Sequence, residues 1–124
     1  MSPQKILLVE DEELMAFLER TVLEKAGFQL DDVRTGGEAL VQVTQCDYAL
    51  LILDYRLPDM TAADILTALG NRGQTLPVIV VTGYNDPKLA QSLREAGALE
   101  YIVKDDLTFL PRLPEVVGEI LSGL

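Results

Sequence analysis

The sequence predicts one doubly wound α/β domain: a parallel five-stranded sheet with a helix after each strand. Two observations carry this. Five short apolar runs, most of them continuous rather than alternating, mark strands buried on both faces. Segments of helical period separate these runs in strict alternation, so each strand is followed by a crossover helix and the strands run parallel. The length of 124 residues, with 48% apolar and 24% charged, suits a single domain over residues 1–124 that folds without staples. No internal repeat, low-complexity segment or long linker divides it.

Each element has its own signal. Residues 6–9 form a continuous apolar run, followed by a helix over 12–26 with Leu14, Phe17, Leu18 and Val22 on one face and Gly27 as its stop. Residues 28–33 read as a weaker strand, and Thr35 caps a short helix across 38–43. Residues 49–53 are a second buried-type strand, and a third helix over 62–69 stops at Gly70. Residues 78–81 are β-branched and continuous. Asp86 then caps a helix with Pro87 in its first turn, Leu89, Leu93 and Ala96 on one face, and Gly97 at its end. Residues 99–103 make the fifth strand. The last helix covers 113–121, its start delayed by Pro111 and Pro114, which each remove a backbone donor and disfavour helical geometry in the residue before.

Composition excludes several kinds of function. Acidic residues outnumber basic ones 20 to 10, for a net charge of −10, so direct nucleic-acid binding by phosphate neutralisation has little to work with. With no histidine, every His-based triad, metal site and phosphohistidine chemistry is ruled out within this chain. One cysteine, Cys46, allows no intrachain disulfide and fits a reducing compartment. No run is long enough to insert in a membrane, and the start MSPQKILLV lacks the features of a signal peptide, so a cytoplasmic location is expected.

In an open parallel sheet, ligands bind beyond the carboxyl ends of the strands where strand order reverses. The first strand ends in Glu10 and Asp11, the third in Asp54, the fourth in Thr82 and the fifth in Lys104, while the second offers Arg34 and Thr35. In the flavodoxin-like order 2-1-3-4-5 the first and third strands are neighbours, and Glu10, Asp11 and Asp54 converge on one pocket. Three carboxylates there repel one another unless a cation offsets them, and hard oxygen donors with room for water describe a magnesium site. A carboxylate beside that metal can act as nucleophile towards a phosphoryl group, and Asp54 is best placed to do so. Lys104 and Thr82 can pair with phosphoryl oxygens. Each residue also has a plainer reading: Glu10 to Glu13 as a solvated first turn, Asp54 as a turn residue, Thr82 as a cap, Lys104 as a surface lysine and Tyr101 as a half-buried packing residue. A flavin-binding flavodoxin is disfavoured by four consecutive acids after the first strand, and a dehalogenase-type phosphatase by Arg56 where its second aspartate would stand.

The motifs ILLVEDEE, LLILDYRLPDM, VIVVTGY and GALEYIVK, in this order and spacing, resemble the receiver domain of two-component response regulators over essentially the whole chain. The resemblance implies that Asp54 accepts a phosphoryl group from a phosphohistidine of a sensor histidine kinase or histidine phosphotransfer protein. It implies that Asp11 ligates magnesium directly, that Glu10 helps through water, and that the Arg56 backbone carbonyl completes the metal site. Thr82 and Lys104 then contact the phosphoryl group, and Thr82 and Tyr101 form the switch that alters binding to a downstream effector. Intrinsic autophosphorylation and slow autodephosphorylation at Asp54 come with this reading, and the alternative is a degenerate receiver that binds partners without phosphorylation. Arg56 and Tyr84 are expected to flank the path of hydrolytic water. Ala62, Gly83 and Asp105 depart from the family pattern. Asp105 replaces a proline that is typically preceded by a cis bond, so a trans bond is expected after Lys104. With the last helix also altered, dimerisation through the face of the fourth helix, fifth strand and last helix is not expected.

Overall fold

A computed structural model describes residues 4–104 and 107–123. Five parallel strands, β1 (Lys5–Val9), β2 (Gln29–Val33), β3 (Leu50–Asp54), β4 (Val78–Thr82) and β5 (Glu100–Val103), form one sheet in the order β2-β1-β3-β4-β5. Helices α1 (Glu13–Lys25), α2 (Gly36–Gln45), α3 (Ala62–Asn71), α4 (Pro87–Glu95) and α5 (Phe109–Gly123) alternate with them. The fold class, strand order and element count are those expected from the sequence.

Alternation along the strands divides the apolar residues between two cores. Leu7, Val9, Leu51, Leu53, Val78 and Val80 face α2, α3 and α4. Ile6, Leu8, Leu50, Ile52, Ile79, Val81 and Ile102 face α1 and α5. Because β1, β3 and β4 are covered on both sides, residues 6–9, 50–53 and 78–81 are all apolar, which is why these runs are continuous in the sequence. β2 lies at an edge, and its Asp31 and Asp32 pair with Lys5, Arg20 and Arg34. Charged side chains there discourage pairing with another sheet.

Four helix details depart from the sequence expectation. In α1 the buried residues are Ala16, Glu19 and Leu23, with Met15, Leu18 and Val22 half-buried against the core. Leu14 and Phe17 are 64% and 62% exposed. The helix is thus rotated relative to the face expected, because apolar residues occur on more than one side of it. α3 does not stop at Gly70 but continues to Asn71, and Gly73 adopts the left-handed conformation that closes it, with Gln74 N–H donating to the Leu69 carbonyl and Gly73 N–H to that of Gly70. In α4, Ala90 and Leu93 are buried while Ala96 is exposed as the C-cap. The last helix begins at Phe109 rather than after the prolines. Pro111 falls in the first turn, where a backbone N–H has no intrahelical partner to lose. Pro114 lies inside the helix at a cost of about 3 kcal/mol. Burial of Phe109, Leu110, Leu113 and Val117, at about 1.5–3 kcal/mol each, exceeds that cost. The expected trans bond between Lys104 and Asp105 lies outside the described residues.

Candidate functional site

The pocket forms because the parallel ladders extend one residue beyond the strands at their carboxyl ends. Glu10 N–H donates to the Val33 carbonyl at 3.1 Å, Tyr55 N–H to Val81 at 3.0 Å and Lys104 N–H to Thr82 at 2.6 Å. β1 and β3 pair directly, with Val9 opposite Leu53, so the residues that follow lie side by side where strand order reverses. There one carboxylate oxygen from each of Glu10, Asp11 and Asp54 lies within 4.8 Å of the other two. Glu10 is buried, Asp54 partly covered and Asp11 exposed.

Lys104 enters from the far side of the sheet. Its ammonium lies 2.8 Å from Glu10 Oε1 and 3.5 Å from Asp54 Oδ1. Glu10 Oε2 accepts from the Glu12 backbone N–H at 3.2 Å. Burial pushes the Glu10 carboxyl up, but the hydrogen bond and charge of Lys104 outweigh it and hold the group below the usual carboxylate range. Asp54 responds in the opposite sense: burial and the charge of Glu10 push it up to about 7, with Lys104 only partly compensating. The ammonium in turn stays protonated, since Glu10 and Asp54 outweigh its desolvation.

Three hard oxygen donors, one of them solvent-facing, fit a small divalent cation that retains several waters. The Arg56 carbonyl is available as well. Arg56 forms an isolated antiparallel bridge with Thr61 whose hydrogen bonds run from Leu57 N–H to Met60 and from Ala62 N–H to Tyr55, using neither polar group of Arg56. Thr82 is buried at the end of β4, and its hydroxyl oxygen accepts from Tyr84 N–H at 3.2 Å, which leaves its O–H free to donate.

Of the residues singled out by sequence, Glu10, Asp11, Asp54 and Lys104 meet directly, with Thr82 on the strand adjacent to β3. Tyr101 lies farther out on β5, its hydroxyl donating to the Tyr84 carbonyl. The Arg56 guanidinium sits over the Tyr84 ring at 5.4 Å, and Tyr55 meets the same ring edge-on at 6.3 Å between centroids. Arg56 and Tyr84 therefore form one contact rather than two separate side chains.

Two residues escaped the sequence reading. Glu19, on α1, is 1% exposed and faces Glu10; burial and that neighbour push its carboxyl up to about 9. Its signal is the spacing of Ala16, Glu19 and Leu23, three and four residues apart along one face. Asp59, in the loop after β3, accepts from Gly36 N–H at 2.9 Å and Gly37 N–H at 2.8 Å, capping α2 from another segment. No local pattern reveals a cap supplied from over twenty residues away.

A doubly wound sheet with this acidic pocket and its lysine at the switch point defines a class of small signalling domains. The chain belongs to the response regulator receiver domain family, whose model matches residues 6–110. It is 35% identical over 122 residues to the phosphate regulon transcriptional regulatory protein PhoB of Rhizobium meliloti, covering 97% of this chain and 52% of that protein. It is 40% identical over 101 residues to the aerobic respiration control sensor protein ArcB of Escherichia coli, covering 80% of this chain and 13% of that protein. Among solved structures, response regulator protein TrrA of Thermotoga maritima in complex with Mg2+–BeF superposes with a TM-score of 0.83 at 27% identity, covering 94% of this chain and 98% of that one. The chain thus spans about half of the matched regulator and a small part of the matched sensor. Among the described residues, no helix is long and apolar enough to cross a membrane.

Proposed function

We propose that this receiver domain accepts a phosphoryl group on Asp54, with a magnesium ion held by Glu10, Asp11, Asp54 and the Arg56 carbonyl. The observation that carries the reading is the placement of the Lys104 ammonium 3.5 Å from Asp54 within a cluster of three carboxylates. An Asp54 oxygen attacks phosphorus, the P–N bond of a donor phosphohistidine breaks, and the imidazole leaves as its nitrogen takes up a proton. The product is an acyl phosphate. When bound, the magnesium ion supplies charge neutralisation for the transferring phosphoryl oxygens. Lys104 pairs with one of those oxygens and the free Thr82 hydroxyl donates to another. Engagement of Thr82 draws on the segment that also carries Tyr84, to which Tyr101 is bonded, and so links the pocket to the β4–α4 surface. The donors are a sensor histidine kinase or a histidine phosphotransfer protein in the cytoplasm, and the reader is an effector domain or protein. Self-phosphorylation from small phosphodonors and slow self-dephosphorylation accompany this chemistry.

Incubation with acetyl phosphate and magnesium tests the reading by intact mass. A single added phosphoryl group is expected on the wild type and none on Asp54→Asn, which keeps the shape but has no nucleophilic carboxylate. Labelling of Asp54→Asn at the wild-type level would defeat the assignment, and a wild type that never labels would favour a receiver that binds partners without phosphorylation.

A further inference from the structure

We infer that Asp59 is a positioning residue for the cation site: by gripping the start of α2 it fixes the loop after β3 and so sets the direction of the Arg56 carbonyl. The inference rests on the reading of the pocket as a magnesium-dependent phosphoacceptor site and extends it to a residue and a helix outside the pocket. Asp54 ends β3 and Glu10 is tied to β2 through its backbone N–H, but Arg56 lies in the loop between β3 and α3. Its bridge to Thr61 uses neither of its own polar groups, so the turn around it decides where its carbonyl points. The stem of that turn is tied to the sheet and to α3, with Tyr55 N–H donating to the Val81 carbonyl at 3.0 Å and Ala62 N–H to the Tyr55 carbonyl at 2.7 Å. Leu57 N–H closes the turn on the Met60 carbonyl at 3.0 Å. From residue 56 to residue 61 Leu57 alone is buried, so little packing holds the tip. Asp59 supplies the hold: Oδ1 accepts from Gly36 N–H at 2.9 Å and Oδ2 from Gly37 N–H at 2.8 Å. Charge-assisted and two-pronged, this contact fixes direction as well as distance.

The helix is shaped to receive the loop. α2 already has a cap of its own in Thr35, whose hydroxyl oxygen accepts from Glu38 N–H at 3.1 Å. Glycine is the poorest helix former after proline, yet α2 opens on two of them. Both stand against the loop: a Cβ on Gly36 would lie 2.4 Å from Met60 Cγ, and one on Gly37 would lie 3.3 Å from Asp59 Oδ2. The start of α2 thus gives up helix propensity where residues 59 and 60 come close, which capping of the helix alone does not require. Groups behind a ligand set commonly orient the ligands in front, and Asp59 stands in that relation to the Arg56 carbonyl.

The test separates the grip on the loop from charge and from helix capping. Asp59→Ala removes both the charge and the acceptor, Asp59→Asn removes the charge and keeps an oxygen that accepts from an amide, and Thr35→Ala removes the helix's own cap and leaves Asp59 in place. The first measurement is the nitrogen-15 backbone order parameter at residues 57, 59 and 60 in metal-free, unphosphorylated protein. The second is the Mg2+ dissociation constant by calorimetry at fixed ionic strength. Asp59→Ala is expected to lower the order parameters at all three residues and to raise the dissociation constant about tenfold. Asp59→Asn is expected to stay within about threefold of wild type in affinity, since salt screens an exposed charge. Thr35→Ala is expected to melt at a lower temperature and still bind Mg2+ within about threefold of wild type, a combination that a purely structural role for the start of α2 would not produce. Wild-type loop order or wild-type affinity in Asp59→Ala would overturn the inference. An equal loss of affinity in Asp59→Asn would overturn it by assigning the effect to charge, and an equal loss in Thr35→Ala by assigning it to the stability of α2. Failure of Asp59→Ala to fold would also overturn it, by assigning Asp59 to the fold. Acetyl-phosphate labelling of the wild type reports separately on Asp54: the expected loss of Mg2+ affinity in Asp59→Ala beside a wild type that never labels would sink the phosphoacceptor reading and leave the positioning role standing.

Discussion

Glu10 and Asp54 share one ammonium, at 2.8 Å and 3.5 Å, yet their carboxyls move in opposite directions, Glu10 below its ordinary range and Asp54 up to about 7. The shorter contact belongs to the more deeply buried group, so Lys104 neutralises Glu10 first and leaves Asp54 facing residual negative charge. A divalent cation then has most to gain at Asp54 and the exposed Asp11. Asp11→Asn should therefore weaken Mg2+ binding more than Glu10→Gln, because the latter removes a carboxylate already paired with lysine. Calorimetric titration of both variants checks the ordering, and equal affinities would contradict it. Arg56 lies over the Tyr84 ring, the two following Asp54 and Thr82 by two positions each, and we expect the pair to screen the phosphorylated Asp54 from water. Replacing them together, as Arg56→Asn with Tyr84→Ala, should shorten the lifetime of the aspartyl phosphate. Because the two side chains touch, each single change should produce most of the effect of the pair. Decay of the phosphorylated form, followed with and without the substitutions, measures this. An unchanged or slower decay in the double variant would remove water access as the control.

At the scale of elements, α2 depends on a residue outside itself. Thr35 caps its third residue, Glu38, and the Asp59 carboxylate binds Gly36 N–H and Gly37 N–H from the loop that follows Asp54. The same two amides hold the Asp59 carboxyl below the usual carboxylate range. Met60 reinforces the junction, standing 2.4 Å from where a Cβ on Gly36 would sit, so a side chain there would force Met60 to move. Asp59→Ala should speed hydrogen exchange of the Gly36 and Gly37 amides while leaving the α3 amides protected, since α3 keeps its own Thr61–Asp64 capping box. Equal loss of protection in both helices would refute this division. Helix faces and ends were also where the sequence was hardest to read. The acids and lysine at the strand ends were legible because each follows a short, continuous apolar run that ends abruptly. The inward face of α1 was not, because Leu14 and Phe17 compete with Met15, Ala16 and Leu23 for the same pattern, and a glutamate in such a helix is ordinarily solvated. The start of α5 was misread because a proline in a first turn costs no hydrogen bond, while a proline further in is outweighed by tertiary burial that local sequence does not display.

For the molecule as a whole, the pocket opposes stability at neutral pH. Asp54 and Glu19 have ordinary values of 3.8 and 4.5 and are raised to about 7 and about 9 in the folded chain. Between those limits the folded state binds more protons than the unfolded one, so their contribution is complete below the ordinary values and is lost as pH rises through the folded ones. The metal-free protein should accordingly melt at falling temperature from about pH 5 to about pH 9. Asp54→Asn should flatten the part of the profile around pH 7, and Mg2+ should restore stability there by mass action. Thermal unfolding across this range, with and without the metal, tests the sign, and a rising profile would contradict it. The opposing case is Glu10, whose lowered carboxyl adds stability that is lost only as the solution becomes acidic enough to protonate it.

The bond between Lys104 and Glu10 joins residues 94 positions apart. A ribosome making this chain releases the acids of β1 and β3 long before it reaches the lysine that balances them. Until β5 docks at the edge of the sheet, the nascent pocket holds its negative charges without their internal counter-ion, and the surrounding strands must assemble against that repulsion. Electrical completion of the pocket therefore waits for the fifth strand, and a chain cut short before Lys104 carries the nucleophile without the means to balance it.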